Sequence, residues 1–259
     1  MFFLLLGLLG LICGFLSGLL GIGGGIIMAP LLLLVPPALG FVPLDMRTVA
    51  GLTVVQGLAA CLVGTITHHK FKFVSPSLAG WMGSTIFVAS LLGGIASQFV
   101  GNHLLSLVFG GLAVVAAVIM LSPERPESAP PDVNKLSFNR WRSVTVASSV
   151  GFLGGLVGQG GSFILIPLMT SYLKIPTRIA MGTNLAIVAL STAAAFIGKA
   201  STGQIAWVLT IPVVVSVIPA VILGSRVSKK TPVKILRRIL AIIIALAALK
   251  IMLTALVYR

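Results

Sequence analysis

Gly14-Phe15-Leu16-Ser17-Gly18-Leu19-Leu20-Gly21-Ile22-Gly23-Gly24-Gly25, running on to Pro30-Leu31, recurs without gaps as Gly151-Phe152-Leu153-Gly154-Gly155-Leu156-Val157-Gly158-Gln159-Gly160-Gly161-Ser162, running on to Pro167-Leu168. Eleven of these eighteen paired positions are identical. The likeness spreads outward, with small changes of loop length. Arg47 and Gly51 match Arg178 and Gly182, Gly64 matches Gly198, Leu92-Gly93 matches Leu223-Gly224, and Ile119-Met120-Leu121 matches Ile251-Met252-Leu253. The chain therefore reads as a duplicated unit, 1–122 and 142–259. A polar linker at 123–141, holding Pro123, Pro126, Pro130 and Pro131, joins the two copies.

The repeat sits in an apolar background. Of 259 residues, 58% are hydrophobic and 8% charged, far below the roughly one-quarter charged of water-soluble domains and the opposite of a disordered composition. Polar breaks separate eight apolar segments, at 1–36, 48–67, 76–99, 102–122, 142–173, 178–198, 205–225 and 235–258. Six have the ~20 residues that cross a hydrocarbon core. The first and fifth are too long: as one helix, the first would reach roughly 54 Å against a core of ~30 Å. Each must bend, and each carries a glycine cluster followed by a proline where a bend is expected. The first residues lack the basic stretch of a signal peptide and are read as structure. Cys13 and Cys61 lie inside apolar runs and read as small packing residues.

Charge sets the orientation. The chain holds 18 Lys and Arg against 4 Asp and Glu, clustered in short loops between apolar segments, so the partner is a membrane surface and not nucleic acid. If every segment crossed once, the cations would divide evenly between the faces. If each long segment is a hairpin that returns to its starting side, the loops at 68–75, 123–142, 173–178 and 226–238 share one face. That face then collects 14 of the 18 cations, leaving Arg47, Lys199, Lys250 and Arg259 opposite. The second arrangement satisfies the positive-inside rule. The expectation is an all-α integral membrane protein with two inverted repeats, each a glycine-rich broken-helix hairpin plus three transmembrane helices, and both termini outside. Whether the hairpins are re-entrant or cross fully does not alter this parity.

Inverted repeats place substrate at mid-membrane, where broken helices expose backbone that a continuous helix would satisfy. Gly21, Gly23, Gly24 and Gly25, with Gly158, Gly160 and Gly161, precede apolar half-helices whose free N–H ends suit an anion. Gln159 and Ser162 add donors. Thr53 and Gln56, set against Thr183 and Asn184, bring hydroxyl and amide groups to the start of the following helices. The alternative reading is that these glycines and polar side chains only serve helix packing.

The acids are Asp45, Glu124, Glu127 and Asp132, all outside the expected spans, so an intramembrane carboxylate relay is not expected. His68, His69 and His103 read as solvated loop residues. No catalytic triad, metal cluster or acid pair falls within the spans, and the glycine cluster lacks the Lys-Ser/Thr ending of a nucleotide loop. Neither an enzyme, a metal nor a cofactor is expected.

The twice-occurring G-x-G-G-G/S before a proline, with Gly182-Thr183-Asn184-Leu185, resembles the TauE/SafE family of sulfite exporters and 4-toluene sulfonate uptake permeases. The likeness covers nearly the whole chain; the first half departs from it by reading Gly51-Leu52-Thr53. It implies a bacterial-type inner-membrane transporter of sulfite, sulfonates or related oxyanions. Export is the leading expectation, since an anion leaving a negative interior gains roughly 2.3 kcal/mol per charge per 100 mV. Uptake of an organic sulfonate is the alternative, and a non-transporting membrane scaffold the alternative of another class.

Overall fold

Both long apolar stretches break at their glycines. In the computed structural model, which describes residues 1–70, 73–120, 136, 138–158, 161–232, 234–236, 238–239, 241–242, 245–246 and 249, α1 (Phe2–Leu20) ends at Gly21 and α2 (Gly25–Ala38) begins beyond it. In the second half, α6 (Arg140–Leu156) ends before Val157, and α7 (Ser162–Pro167) begins after Gly161, followed by a wide turn over Leu168–Tyr172. The break has a local cause. Gly21 and its counterpart Gly158 close the first arm at φ 70° and 75°, and Gly24 and Gly161 open the second at φ 79° and 70°. A side chain in that left-handed region costs about 1–2 kcal/mol.

The remaining helices are α3 (Met46–His69), α4 (Pro76–Ala96, prolonged by a 3-10 turn at Ser97–Phe99), α5 (Asn102–Met120), α8 (Thr177–Ser201) and α9 (Trp207–Lys230). Several starts are written in the sequence: Asp45 caps α3 by accepting from Thr48 N at 3.2 Å, Asn139 caps α6 through Arg142 N at 3.1 Å, and Pro76 opens α4. No strand occurs among the described residues. Six helices, α1, α3, α4 with its turn, α5, α8 and α9, are long and apolar enough to cross a membrane. The chain is an all-helical integral membrane protein. Most of the linker at 123–141 and most of the eighth apolar segment, 235–258, lie outside the described residues, as do Gln159 and Gly160.

Glycines set the packing. Gly10, Gly14 and Gly18 of α1 lie against Val213, Val217 and Val221 of α9, in that order, so the two helices run parallel. Gly151 and Gly155 of α6 lie likewise against Ile86 and Ser90 of α4. The partners reciprocate: Gly224 of α9 faces the Phe15 carbonyl and Gly93 of α4 the Phe152 carbonyl. Small residues allow this approach in a membrane, where burial of apolar surface gives no drive between helices. Beneath these pairs, α3 and α8 pack antiparallel, Gly51 meeting Gln204 and Gly64 meeting Leu185.

The opposite face of α9 presents Val208, Ile211 and Val215, each about two-thirds exposed, which is stable only against lipid. Arg140, Arg142 and Arg178 lie over the rings of Trp81, Tyr172 and Phe73 at 5.0, 5.6 and 5.5 Å. Such pairing of cations with aromatic rings suits a membrane–water boundary.

Candidate functional site

The two turns meet near the middle of α3 and α8. Gln56 lies about 15 Å along α3, half the thickness of a hydrocarbon core, and its Nε2 donates to Gly23 O at 3.2 Å. A Cβ added at Gly23 would stand 3.6 Å from Ser162 Cβ, at the start of α7, and 3.6 Å from Val188 of α8. The first turn therefore abuts the second.

Asn184 joins them. Its Nδ2 donates to Gly21 O at 2.7 Å and to Ser162 O at 3.2 Å, one carbonyl from each helix break. Thr53, the matching residue of α3, does the reverse: its Oγ1 donates to Ala50 O at 3.1 Å and reaches Gly158 O at 3.4 Å. Each half thus supplies a side chain that holds the other half's turn. Thr183 stands outside this group; its Oγ1 accepts from Ser75 N at 2.9 Å, securing the start of α4. Gly25 is buried in the first turn of α2.

These bonds orient the amides. Two carbonyls facing Asn184 and one facing Gln56 require nitrogen on that side, so Asn184 Oδ1 and Gln56 Oε1 point away. Both oxygens are buried without a hydrogen-bond partner, as are the hydroxyls of Ser17 and Ser162. Ser17 borders the same turn, because a Cβ at Gly24 would stand 2.7 Å from Gln56 Nε2 and 3.3 Å from Ser17 Cβ. Four unsatisfied polar groups around one turn are unusual at such depth, since each normally finds a partner. In this conformation protein packs against the glycines of the turn, Met181 against Gly21 and Cys61 against Gly23.

The profile of the sulfite exporter TauE/SafE family matches residues 6–251. The chain belongs to that family. Among its relatives, the probable membrane transporter proteins YunE and YjnA of Bacillus subtilis are 26% and 28% identical, covering 95% and 94% of this chain and 96% and 97% of their own length. A probable membrane transporter protein of Methanocaldococcus jannaschii is 25% identical over 96% of both chains. No solved structure matches. This TauE/SafE member is thus a membrane transporter, and its family points away from catalysis.

Three residues were passed over in the sequence. Ser17 is signalled only as a hydroxyl in an apolar run where the second half has Gly154. His68, expected in a solvated loop, is instead buried, with Nε2 3.1 Å from Gly18 O, whereas His69 and His103 are exposed. Lys199, expected at a membrane face, is fully buried. The last two lie near the ends of α3 and α8, each beside the end of α1 or α6.

Proposed function

We propose that the protein carries a small oxyanion of the sulfite or sulfonate class outward, binding it between the two hairpins at mid-membrane. The observation that carries this reading is the cluster of four buried, unsatisfied groups around the first turn: Ser17 Oγ, Gln56 Oε1, Ser162 Oγ and Asn184 Oδ1. The hydroxyls donate to anion oxygens, while the amide oxygens can only accept. A bare dianion satisfies the first pair and is repelled by the second. An oxyanion with a donor of its own meets both pairs: hydrogensulfite has one O–H for the amide oxygens, and a small aminosulfonate has enough N–H groups for each of them.

The halves are inverted repeats in this reading. Support comes from the two first arms: α1 ends near the start of α8, where Gly21 meets Met181, while α6 ends near the finish of α8, where Leu156 O lies 3.4 Å from Lys199 Nζ. Arms that point to opposite ends of one helix point in opposite directions. The closed turns then represent an occluded state, and parting of the Asn184 and Thr53 contacts on one side or the other opens the site to alternate faces. Gln159 and Gly160 stay within the proposed site as members of the second turn's motif, while Thr183 supports it from beside Asn184 by holding the start of α4.

The test is flux of sulfite, thiosulfate and small sulfonates from sealed proteoliposomes holding the purified protein. The reading expects sulfite movement that follows the hydrogensulfite fraction as pH is varied, and loss of flux in Ser162→Ala combined with Ser17→Ala. A non-transporting scaffold moves no anion. Flux that follows the dianion instead overturns the assignment of the amide oxygens.

A further inference from the structure

A second polar cluster lies away from the turns, where α8 ends and α3 begins. Lys199 is fully buried there, within a helix long enough to span the membrane. Its ammonium donates to Ser97 Oγ at 2.8 Å, with longer contacts to Leu156 O and Gln204 Oε1, both at 3.4 Å. All three acceptors are neutral. Arg47 brings a second positive charge to the same corner. Its Nη2 donates to Gln98 O at 3.3 Å and Val100 O at 3.4 Å, in and just after the 3-10 turn that also holds Lys199. Its Nε is buried without a partner. Asp45, the one acid among the described residues, is exposed and spends its carboxylate on the cap of α3.

A buried cation without a counter-charge is costly, and within a membrane span it marks a functional site by default. Capping the carbonyl end of α6 does not explain it. That task needs a donor, not a charge, and near the end of α3 in the first half it is His68 that meets the Gly18 carbonyl of α1. What Lys199 adds is an ammonium, and what Arg47 adds is a second charge with a spare N–H.

We propose that Lys199 and Arg47, with Ser97, form a second anion site, a station for a small oxyanion between the turns and the membrane face where α3 begins. The identity of the anion rests on the transport reading above; the station itself does not. The ammonium, giving up a 3.4 Å contact, and the Arg47 Nε–H donate to the oxyanion, whose charge replaces the missing counter-ion. By the loop charges this is the outer face, so an exported anion pauses here before release.

The experiment is thermal unfolding of the purified protein in detergent, with sodium sulfite titrated against sodium chloride at constant ionic strength. In an Asn184→Leu background, with sulfite kept below the concentration that the weakened turns need, a sulfite-dependent rise in Tm should persist. Adding Lys199→Met should abolish it, while Lys199→Arg retains it and Arg47→Gln weakens it. Without sulfite, Lys199→Met should unfold no earlier than the parent, because it replaces an uncompensated charge by an apolar chain of similar length. In proteoliposomes, Lys199→Met should raise the half-saturating sulfite on the α3-start side about tenfold, the worth of one charged hydrogen bond. Early unfolding of Lys199→Met with the sulfite response intact makes Lys199 a cap of α6 and overturns the proposal. Loss of the whole response in Asn184→Leu alone also overturns it, yet leaves the turns standing as the binding site. Normal flux in Asn184→Leu with flux lost in Lys199→Met sinks the turns and keeps the station.

Discussion

Replacing Asn184 by Leu removes a side chain that touches both hairpins while keeping a similar volume. Two buried carbonyls lose their donor, Gly21 O at 2.7 Å and Ser162 O at 3.2 Å. Interhelical hydrogen bonds in membranes are worth about 0.6 kcal/mol on average and up to about 1.7. The short bond to Gly21 falls near the upper figure and the longer one near the mean, so the loss is about 2 kcal/mol. Thr53→Val, the matching change in the first half, should cost about 0.5 kcal/mol or less, because the hydroxyl lies closer to Ala50 O of its own helix than to Gly158 O. At about 2–4 °C per kcal/mol for a chain of this size, unfolding followed by tryptophan fluorescence should fall by roughly 4–8 °C for Asn184→Leu and by about 2 °C at most for Thr53→Val. Proteoliposome flux should show half-saturating sulfite raised about tenfold in Asn184→Leu, since the Oδ1 acceptor is lost as well. Asn184→Asp sharpens the test. It keeps an oxygen toward the cluster but sets another against two carbonyls, and should be at least as unstable as the Leu variant and inactive. Equal effects of Asn184→Leu and Thr53→Val, or a normal Asn184→Asp protein, would refute the orientation of this amide and the bridge it makes.

Gly24→Ala should impair flux and insertion strongly, since its Cβ meets Gln56 at 2.7 Å at a φ of 79°; Gly40→Ala, at φ 80° with nothing within 4 Å, should lose only about 1 kcal/mol and transport normally. Gly224→Val and Gly93→Val should each lower the unfolding temperature and membrane yield, because the new side chain runs into the Phe15 or Phe152 carbonyl of the parallel neighbour. Gln56→Leu, which frees only the Gly23 carbonyl, should weaken sulfite binding less than Asn184→Leu. Reporter fusions at Arg259 and within 123–141 should fall on opposite faces, the first outside and the second inside; one shared face would reverse the hairpin parity.

The helix breaks were legible in the chain because they are local. A glycine at positive φ is required by the turn itself, so Gly21, Gly24, Gly158 and Gly161 announce the break wherever the surrounding helices lie. Five segments of membrane length were legible for the same reason, as α3, α4, α5, α8 and α9, since apolar length is counted along the sequence; the sixth, 235–258, lies mostly outside the described residues, and α1 is instead the first part of a segment too long to cross once. The family followed from the paired motif. The role of each polar side chain was not legible. Asn184 and Gly21 are 163 residues apart, and only docking of the two halves turns the amide nitrogen toward the Gly21 carbonyl and leaves its oxygen unsatisfied.

Lys199 and His68 make the same point through depth. Both follow long apolar runs and precede polar residues, the pattern of a helix end reaching water. Burial depends on what the neighbouring helices place over that end: the arm ending at Leu156 covers Lys199, and the arm passing Gly18 covers His68. A sequence records where a helix stops, because stopping is a property of adjacent residues. Whether that end meets solvent or another helix is a property of the assembled bundle, and for these two side chains the tertiary structure alone decides it.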